Sequence, residues 1–295
     1  MHRFSDFKVS MIKVAILGYG NIGRAAEQAI EAAPDLQLSG IYHHNDCLDN
    51  IDADVVLLCT PTREVPKFAA ILAAKGICTV DSFDIHGQIG GLREQLNPKC
   101  TANRTVSIIS AGWDPGTDSV VRALLLSMAP QGITYTDFGP GRSMGHSVAA
   151  KAIDGVKNAL SMTIPLGTGV HRRIVYVELE QGADFKTVEA KLLKDDYFAH
   201  DETHVIEVEN VEALNNVAHG VHLTRSGVSG ETHNQRFEFN MQINNPALTG
   251  QVMASCARAA YRMKQRGQYG CKTMIEIAPI DLLAGSAEEN IKALV

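Results

Sequence analysis

The sequence predicts an α/β fold in which a doubly wound parallel sheet is followed by an α+β domain with an antiparallel sheet. Short apolar runs alternate with helix-like stretches between residues 13 and 111. After residue 112, by contrast, several segments alternate apolar with polar side chains. Continuous apolar strands are typical of a sheet covered on both faces, and alternation is typical of a sheet with one wet face.

Five strand-like runs define the first domain: KVAIL (13–17), LQLSGIY (36–42), VVLLCT (55–60), ICTVDSF (77–83) and SIISA (107–111). A helix-like stretch follows the first run as far as Ala33, and KFAAILAAKG (67–76) predicts another helix, closed by Gly76. We therefore predict one domain over residues 11–112, with the first ten residues outside it.

The second half predicts different elements. Pro115-Gly116-Thr117-Asp118 is a turn and cap that opens a helix through Met128. Antiparallel strands are predicted at RRIVYVELE (172–180), HVIEVENV (204–211), GVHLTRSGV (220–228) and HNQRFEFNMQIN (233–244). Asn245-Pro246 ends this pattern, and LTGQVMASCARAAYRMKQRG (248–267) predicts a long helix. The second domain is thus predicted over residues 113–245, with 246–285 packing back on the first.

Composition excludes several classes of protein. The 295 residues are 45% hydrophobic and carry a net charge of −6, which gives no basic stripe for nucleic acid or for a membrane surface. No apolar run is long enough to span a bilayer, and the opening MHRFSDFKVS lacks a signal core. The six cysteines form no C-x-x-C pair. We expect a cytoplasmic protein with buried thiols and no metal.

Gly18-Tyr19-Gly20-Asn21-Ile22-Gly23 is a G-x-G-x-x-G placed between a strand and a helix. The first glycine allows the turn, the second lets backbone approach a pyrophosphate, and the third lets helix and strand pack closely. This context predicts a Rossmann-type dinucleotide site. Cys59, Thr60, Pro61 and Thr62 follow the third strand, where such folds bind ligands. A helical turn started by proline explains those four residues equally well.

Several segments carry a specific resemblance: SAGWDPGTDSVVRALL (110–125), FGPGRSMGHSVAAKAIDGVKNALSMTIPLGTGVHRR (138–173), HDETHV (200–205) and NNPALTGQV (244–252). Together with DSFD (81–84) and the glycine motif, they are similar to the meso-diaminopimelate dehydrogenase family, in its compact variety. The resemblance runs from about residue 12 to about residue 285. It implies a homodimer that binds substrate and dimerises through the second domain.

The implied reaction belongs to lysine and peptidoglycan-precursor synthesis. It is the reversible, NADP-dependent oxidative deamination of the D-centre of meso-2,6-diaminopimelate, which yields ammonia and L-2-amino-6-oxopimelate, the open form of tetrahydrodipicolinate. Two other functions remain open. One is a D-amino-acid dehydrogenase of the same fold with another substrate, and the other is a non-catalytic Rossmann sensor.

The resemblance also implies roles for individual residues. Asp84 and Asp114 are the catalytic pair, because two carboxylates can bind the reacting ammonium and stabilise the cationic iminium. The implied substrate-binding residues hold either the reacting end or the far, L-configured end. They are Trp113, Phe138, Met144 and Gly145 at the first, and Arg173, Thr163, His219 and Asn245 at the second.

Each of these residues also has a purely structural interpretation. Asp84 and Asp114 could cap a helix or turn, and Trp113, the one tryptophan, could belong to the core. Arg173 could pair with Glu178 or Glu180 on its own strand. His219 lies in a loop-like AHG and has the weakest support of the set.

The end of the second strand bears on the choice of coenzyme. Tyr42-His43-His44-Asn45 offers no carboxylate for the ribose hydroxyls of NAD. The family usually has an arginine pair there, and His43 and His44 replace it. Histidine can donate to a 2′-phosphate but is only partly charged at neutral pH. We predict NADP, by a smaller margin than in relatives with arginines, with NAD as the alternative. Two exposed loop histidines would explain the pattern equally well, and Arg63 is another candidate for the phosphate.

His200-Asp201-Glu202-Thr203-His204 superficially resembles a zinc motif. A zincin requires glutamate directly after the first histidine, on an established helix. Here Glu202 is one position late, and a strand-like segment follows. We predict a structural turn near a subunit interface.

Overall fold

The computed structural model describes residues 11–214 and 219–295, which form two compact units. The first unit consists of the described residues up to Val120 together with Pro246–Val295, and the second is Val121–Asn245. The functional division at residues 112/113 inferred from the sequence stays a prediction.

The first unit is built around a six-stranded parallel sheet. Its strands and helices are β1 (Ile12–Leu17), α1 (Asn21–Glu31), β2 (Leu36–Tyr42), β3 (Val55–Leu58), α2 (Val65–Ala74), β4 (Cys78–Asp81), α3 (Ile89–Ala102), β5 (Val106–Ile108) and the start of α4 (Thr117–Met128). In the second unit lie β6 (Gln131–Phe138), β7 (Gly141–Ser143), α5 (Met144–Lys151), β8 (Val156–Gly167), β9 (Val170–Leu179), α6 (Phe185–Leu192), β10 (Glu202–Glu207), β11 (His219–Ser229) and β12 (Thr232–Ile243). The chain ends with α7 (Asn245–Gln265), β13 (Gly270–Lys272), α8 (Pro279–Leu282) and α9 (Ala287–Leu294).

The strand order of the first sheet is β13-β5-β4-β3-β1-β2. Every pair in it is parallel, so the carboxyl ends of the strands meet at one edge. Apolar residues of α1 and α7 pack with one set of strand side chains, and residues of α2 and α3 pack with the other set. Helices therefore cover both faces, which explains why these strands are continuous apolar runs. The predicted doubly wound α/β domain is confirmed.

Residues 246–295 pack against this sheet within the first unit. Gly250 of α7 lies so close to α1 that a Cβ there would be 2.6 Å from the backbone nitrogen of Ala26. Arg258, about two turns further along α7 and with its side chain only 5% exposed, donates to both carboxylate oxygens of Asp35 at 2.6 Å. Its Nη1 donates to the carbonyl of Leu282 at 2.8 Å. This arginine ties the start of the second strand to the C-terminal segment.

The second unit contains two sheets. One has the order β10-β9-β8-β7 and the other β12-β11-β6. The pairs β7/β8, β8/β9, β6/β11 and β11/β12 are antiparallel, as predicted for an α+β domain. Helices α5 and α6 supply buried residues to a core with β8, β9 and β10. Asp184 caps α6, and its carboxylate accepts the Thr187 amide at 2.9 Å.

Two local predictions are wrong, and a third holds only in part. HVIEVENV was predicted to be antiparallel, but β10 pairs in parallel with β9, because a connection through α6 returns the chain in the same direction. His219 opens β11 opposite Ile243 rather than lying in a loop. The HDETH segment is a turn only as far as Asp201, since β10 begins at Glu202.

Two features are absent from the described residues. Within residues 11–214 and 219–295, no helix combines the length and the apolar character that crossing a bilayer requires. The same ranges contain no group of three or more His, Cys, Asp or Glu side chains placed to hold a metal ion.

Candidate functional site

The glycine motif forms an open cradle at the carboxyl edge of the first sheet. Gly18 has φ +95°, and a Cβ there would be 2.5 Å from the carbonyl oxygen of Cys59. A Cβ at Gly23 would be 2.4 Å from the oxygen of Gly18, so helix and strand approach as closely as backbone allows. A Cβ at Gly20 would meet no atom of the described chain within 4 Å. The first and third glycines are therefore required by packing, and the second faces open space.

The helix that follows is prepared for an anion. Its first residues, Asn21 and Ile22, have amides with no acceptor inside the helix, and its first turn has no acidic residue. The Tyr19 hydroxyl donates to Glu27, and the Arg24 guanidinium lies 5.7 Å from the Tyr19 ring centroid.

Residues after β3 complete the cofactor edge. The Thr60 hydroxyl is buried, and among the described residues it has no hydrogen-bond partner. An orphaned buried hydroxyl beside an open glycine cradle is consistent with a ligand that supplies the missing partner. Burial raises the pKa of the Cys59 thiol to about 12, so it is an inert wall. Pro61 precedes the short 3₁₀ turn Thr62–Glu64, as the structural interpretation expected. These residues fit a dinucleotide.

The predicted phosphate-binding residues lie at the end of β2. His43 and His44 are both exposed, and the backbone amide of His43 donates to Asp46 at 2.7 Å. Tyr42 connects this end to the cradle, since its carbonyl accepts the Gly18 amide at 2.8 Å. Arg63, on the neighbouring strand connection, is also exposed. Their roles stay predictions.

Asp81, the last residue of β4, holds together the two loops that carry the predicted catalytic pair. Its Oδ1 accepts the amides of Phe83 and Ser110, both at 3.0 Å, and its carbonyl accepts the Ala111 amide at 2.6 Å. Phe83 precedes Asp84, and Ser110 and Ala111 lead to Asp114. The carboxyl group is fully buried, and this burial raises its pKa to about 6 despite the two amide bonds.

The predicted catalytic residues follow directly. Asp84 is exposed, and its Oδ1 accepts the Thr62 hydroxyl at 2.6 Å. Thr62 was predicted to bind cofactor, and here it orients a carboxylate. Asp114 is largely buried and lies 3.9 Å from Nε2 of His86. Trp113 is only 6% exposed, and its carbonyl accepts the Asp118 amide at 3.0 Å.

A second cluster surrounds Arg173 in the second unit. Arg173 on β9 faces Thr163 on β8, and its Nη1 donates to the Thr163 hydroxyl at 2.7 Å. Its Nε donates to Oδ2 of Asp201 at 2.6 Å. The sequence suggested Glu178 or Glu180 as structural partners, and that is wrong, since Glu178 binds Lys157. On β9, Glu178 is an odd number of residues from Arg173 and points to the opposite face.

Three histidines lie near this guanidinium. Burial, and secondarily the charge of Arg173, lower the pKa of His146 and of His219 to about 4. The same two causes lower the pKa of His171. All three therefore favour the neutral form at neutral pH, and His171 Nε2 accepts the Phe138 amide at 2.7 Å. This bond orients Phe138, whose ring centroid is 5.7 Å from that of His171.

The remaining predicted residues occupy two helix starts. Met144 and Gly145 open α5, so their amides have no acceptor inside the helix, as binding through backbone would require. Ser143 and Nδ1 of His146 share a hydrogen bond of 2.8 Å beside them. Asn245 opens α7. The binding roles of these residues stay predictions.

Sequence reasoning missed Asp81, His146, His171 and Asp201. Asp81 and His146 lie inside the DSFD and SMGHS motifs, so position within a motif was the available signal. Asp201 belongs to a segment that we interpreted as a turn, and its partner is 28 residues away along the chain. Nothing local in the sequence indicates that pairing.

Comparisons with known proteins agree with this architecture. Residues 112–172 match the family described as the diaminopimelic acid dehydrogenase C-terminal domain. A meso-diaminopimelate D-dehydrogenase from Bacteroides fragilis is 55% identical, over 96% of this chain and 99% of that protein. The enzyme of the same name from Corynebacterium glutamicum is 32% identical, over 96% and 98%.

Two solved structures are also similar. The C. glutamicum DAP dehydrogenase in complex with DAP has a TM-score of 0.87 at 31% identity, covering 97% of this chain and 100% of that one. An engineered D-amino acid dehydrogenase bound to NADP⁺ has a TM-score of 0.82 at 31% identity, with the same coverage. Fold and cradle define a Rossmann-type dehydrogenase with an additional α+β unit. The chain belongs to the meso-diaminopimelate D-dehydrogenase family.

Proposed function

We propose that this chain catalyses the reversible, NADP-dependent oxidative deamination of meso-2,6-diaminopimelate at its D-centre. The products are ammonia and L-2-amino-6-oxopimelate, which cyclises to tetrahydrodipicolinate. The observation that carries the proposal is the chemical match between substrate and residues. The substrate has an ammonium and a carboxylate at each end, and the chain provides two carboxylates on loops that Asp81 joins, and a mostly enclosed guanidinium in the second unit.

Asp84 and Asp114 are assigned to the reacting D-centre. Two carboxylates stabilise the ammonium on binding and the cationic iminium after hydride loss, and one of them can act as the general base that accepts the ammonium proton. Thr62 and Asp81 keep these carboxylates in place, because one donates to Asp84 and the other binds both loops. Trp113 and Phe138 are assigned as apolar walls beside this end.

Arg173 is assigned to the carboxylate of the L-centre, with Thr163, His219 and Asn245 around it. A guanidinium binds a carboxylate through two parallel N–H donors, which fixes orientation as well as charge. Neutral histidines add donors or acceptors without adding charge, so the net attraction comes from Arg173 alone. Backbone amides of Met144 and Gly145 are assigned to the carboxylate of the D-centre.

The cofactor fits the first unit. NADP, when bound, supplies the nicotinamide that accepts the hydride. Gly18, Gly20 and Gly23 shape the cradle for its pyrophosphate, the α1 amides donate to it, and Thr60 offers an unpartnered hydroxyl. His43 and His44 are assigned to the 2′-phosphate.

We also propose a cytoplasmic homodimer formed through the antiparallel sheet of the second unit. Support comes from large apolar side chains exposed in this unit, including Ile133 on β6 at 58% and Leu124 on α4 at 55%. Sedimentation equilibrium tests this proposal, because a monomer at micromolar concentration would contradict it.

The reaction is tested with the meso, L,L and D,D isomers of diaminopimelate and NADP, following NADPH absorbance. We expect rapid reduction with the meso isomer and none with the L,L isomer, which lacks a D-centre. The D,D isomer tests whether the far end requires the L configuration. Activity with simple D-amino acids but not with the meso isomer would support a D-amino-acid dehydrogenase of another specificity. Dinucleotide binding without any turnover would support a sensor.

A further inference from the structure

The Arg173 cluster contains a carboxylate that the assignments above do not use. Asp201 accepts Nε of Arg173 through Oδ2 only. Within the described residues, its Oδ1 and the Nη2 of Arg173 have no hydrogen-bond partner. Both side chains are mostly enclosed, with Arg173 at 15% and Asp201 at 31% exposure. The pair thus retains one carboxylate oxygen and one guanidinium nitrogen that bind no other described residue.

A second ion pair, formed by the sequence neighbours of Arg173 and Asp201, can be compared with this one. Arg172 and Glu202 also form an ion pair, but a bidentate one, with Nε–Oε1 at 2.8 Å and Nη2–Oε2 at 3.1 Å. His204 adds a further contact to Glu202 at 2.9 Å. The side chains of Arg172 and Glu202 are 39% and 48% exposed. In the exposed Arg172–Glu202 pair, both carboxylate oxygens accept a hydrogen bond from the arginine. In the enclosed Arg173–Asp201 pair, only one oxygen does, so each partner can still bind a ligand.

The histidines around the pair add no positive charge. His146, His171 and His219 favour the neutral form, as their lowered pKa values indicate. Asp137 and Asp195 also lie near these histidines, and each accepts a backbone amide, from Gly169 at 2.7 Å and Tyr197 at 2.9 Å. Arg173 and Asp201 are the two opposite charges of this cluster that contact each other directly.

We propose that Asp201 is a specificity-determining residue that binds the ammonium group at the far end of the substrate, while Arg173 binds the carboxylate there. A lone arginine would favour any second carboxylate. An adjacent arginine and aspartate instead match a complete amino-acid group, because each half of the zwitterion finds an opposite charge. This proposal rests on the proposed function and extends it to the far end.

The test compares meso-diaminopimelate with D-2-aminopimelate, which keeps the far carboxylate but lacks the far ammonium. We expect the wild-type chain to prefer meso-diaminopimelate in kcat/KM. Asp201→Asn should reduce that preference about tenfold or more, through a higher KM for meso-diaminopimelate with little change in kcat. The value of kcat/KM for D-2-aminopimelate should stay constant or rise.

Glu202→Gln is the matched control, because it neutralises the adjacent carboxylate of the exposed Arg172–Glu202 pair, and it should leave the preference unchanged. Asp201→Glu keeps the charge and should retain more of the preference than Asp201→Asn. It also supplies the measurement if the asparagine variant does not fold. Equal losses for both substrates would mean that Asp201 only orients Arg173 and would overturn the proposal. An unchanged preference would overturn it as well. A wild-type chain without activity on meso-diaminopimelate would instead overturn the proposed function itself.

Discussion

Arg258 in the first unit and Arg173 in the second are both largely buried, and both bind an aspartate. Arg258 uses three nitrogens on internal partners, two on Asp35 and one on the Leu282 carbonyl. Arg173 uses two, on Asp201 and Thr163. The Arg258 pairing joins distant segments of the chain. The Arg173 pairing leaves a nitrogen of Arg173 and an oxygen of Asp201 able to hydrogen-bond a ligand.

Two aspartates of the first unit differ in burial. Asp81 is fully buried, and its Oδ1 accepts two backbone amides while its Oδ2 has no partner among the described residues, whereas the neighbouring Asp84 is exposed and accepts one hydroxyl. Buried residues that bind other parts of the chain should determine stability. Residues that can still hydrogen-bond a ligand should determine binding and catalysis. Substitutions can separate effects on stability from effects on binding and catalysis.

The largest effect on stability is expected for Arg258→Ala. It leaves Asp35 without its partner, and breaking a buried ion pair costs about 3–5 kcal/mol in the free energy of unfolding. Urea denaturation measures this loss. Arg236→Ala removes an exposed pair with Glu238 and should cost less than about 1 kcal/mol. A comparably small loss for Arg258→Ala would show that the buried pair contributes no more to stability than the exposed one.

Asp84→Asn and Asp114→Asn should have the opposite profile. Each should lower kcat about 100-fold, or ~3 kcal/mol, because each weakens stabilisation of the cationic transition state. NADP affinity and the urea midpoint of Asp84→Asn should change little, since Asp84 is exposed. Steady-state kinetics at saturating NADP is the measurement. Wild-type kcat in both variants would show that they do not flank the reacting amine.

Asp81 should make stability depend on pH. Burial raises its pKa from 3.8 to about 6, so between those values the folded chain binds more protons than the unfolded one. The free energy of unfolding therefore falls as pH rises through this window and is level above it, by up to about 3 kcal/mol in total.

Asp81→Asn should lack this contribution, so the stability of the wild type relative to the variant should decline from pH 4 to pH 7. Thr79→Val is the control, because it removes the buried hydrogen bond to Ser107 between the same two strands without removing a titrating group. A constant difference between wild type and Asp81→Asn across that range would contradict the raised pKa.

Arg173→Ala should weaken substrate binding rather than the fold. Loss of a charge-assisted contact to a carboxylate corresponds to about 1.5–3 kcal/mol, or a tenfold or greater fall in affinity for meso-diaminopimelate. Calorimetric titration of substrate and of NADP distinguishes the two sites, and Arg172→Ala serves as the adjacent control. A large loss of NADP affinity in Arg173→Ala would contradict the assignment of Arg173 to the substrate carboxylate.

The smallest effect is expected at the coenzyme. His43→Arg and His44→Arg should each raise the kcat/KM ratio of NADP over NAD a few-fold, about 1 kcal/mol, because arginine carries a permanent charge at an exposed position. Arg63→Gln tests the other candidate. If Arg63→Gln lowers the ratio while the histidine variants leave it unchanged, Arg63 binds the phosphate. A wild-type ratio below one would make NAD the coenzyme.

Much of the first unit could be predicted from local patterns. Its five predicted strands are present, and the glycine motif lies where its packing requires, because a buried parallel strand and a G-x-G-x-x-G turn are encoded by consecutive residues. Motif resemblance assigned Arg173 and Thr163 to the same end of the substrate, and the register of β8 and β9 brings these two side chains into contact.

Pairings between distant segments were beyond such patterns. Alternation of polar and apolar side chains is the same in parallel and antiparallel strands, so the direction of β10 depends on the path through α6. Asp81 acts on Ser110, and Asp201 on Arg173, across 29 and 28 residues respectively. Periodicity and motifs report how a segment meets solvent and its immediate neighbours. The tertiary structure decides which charged side chains pair and which of their atoms remain able to bind a ligand, because only packing brings remote segments together.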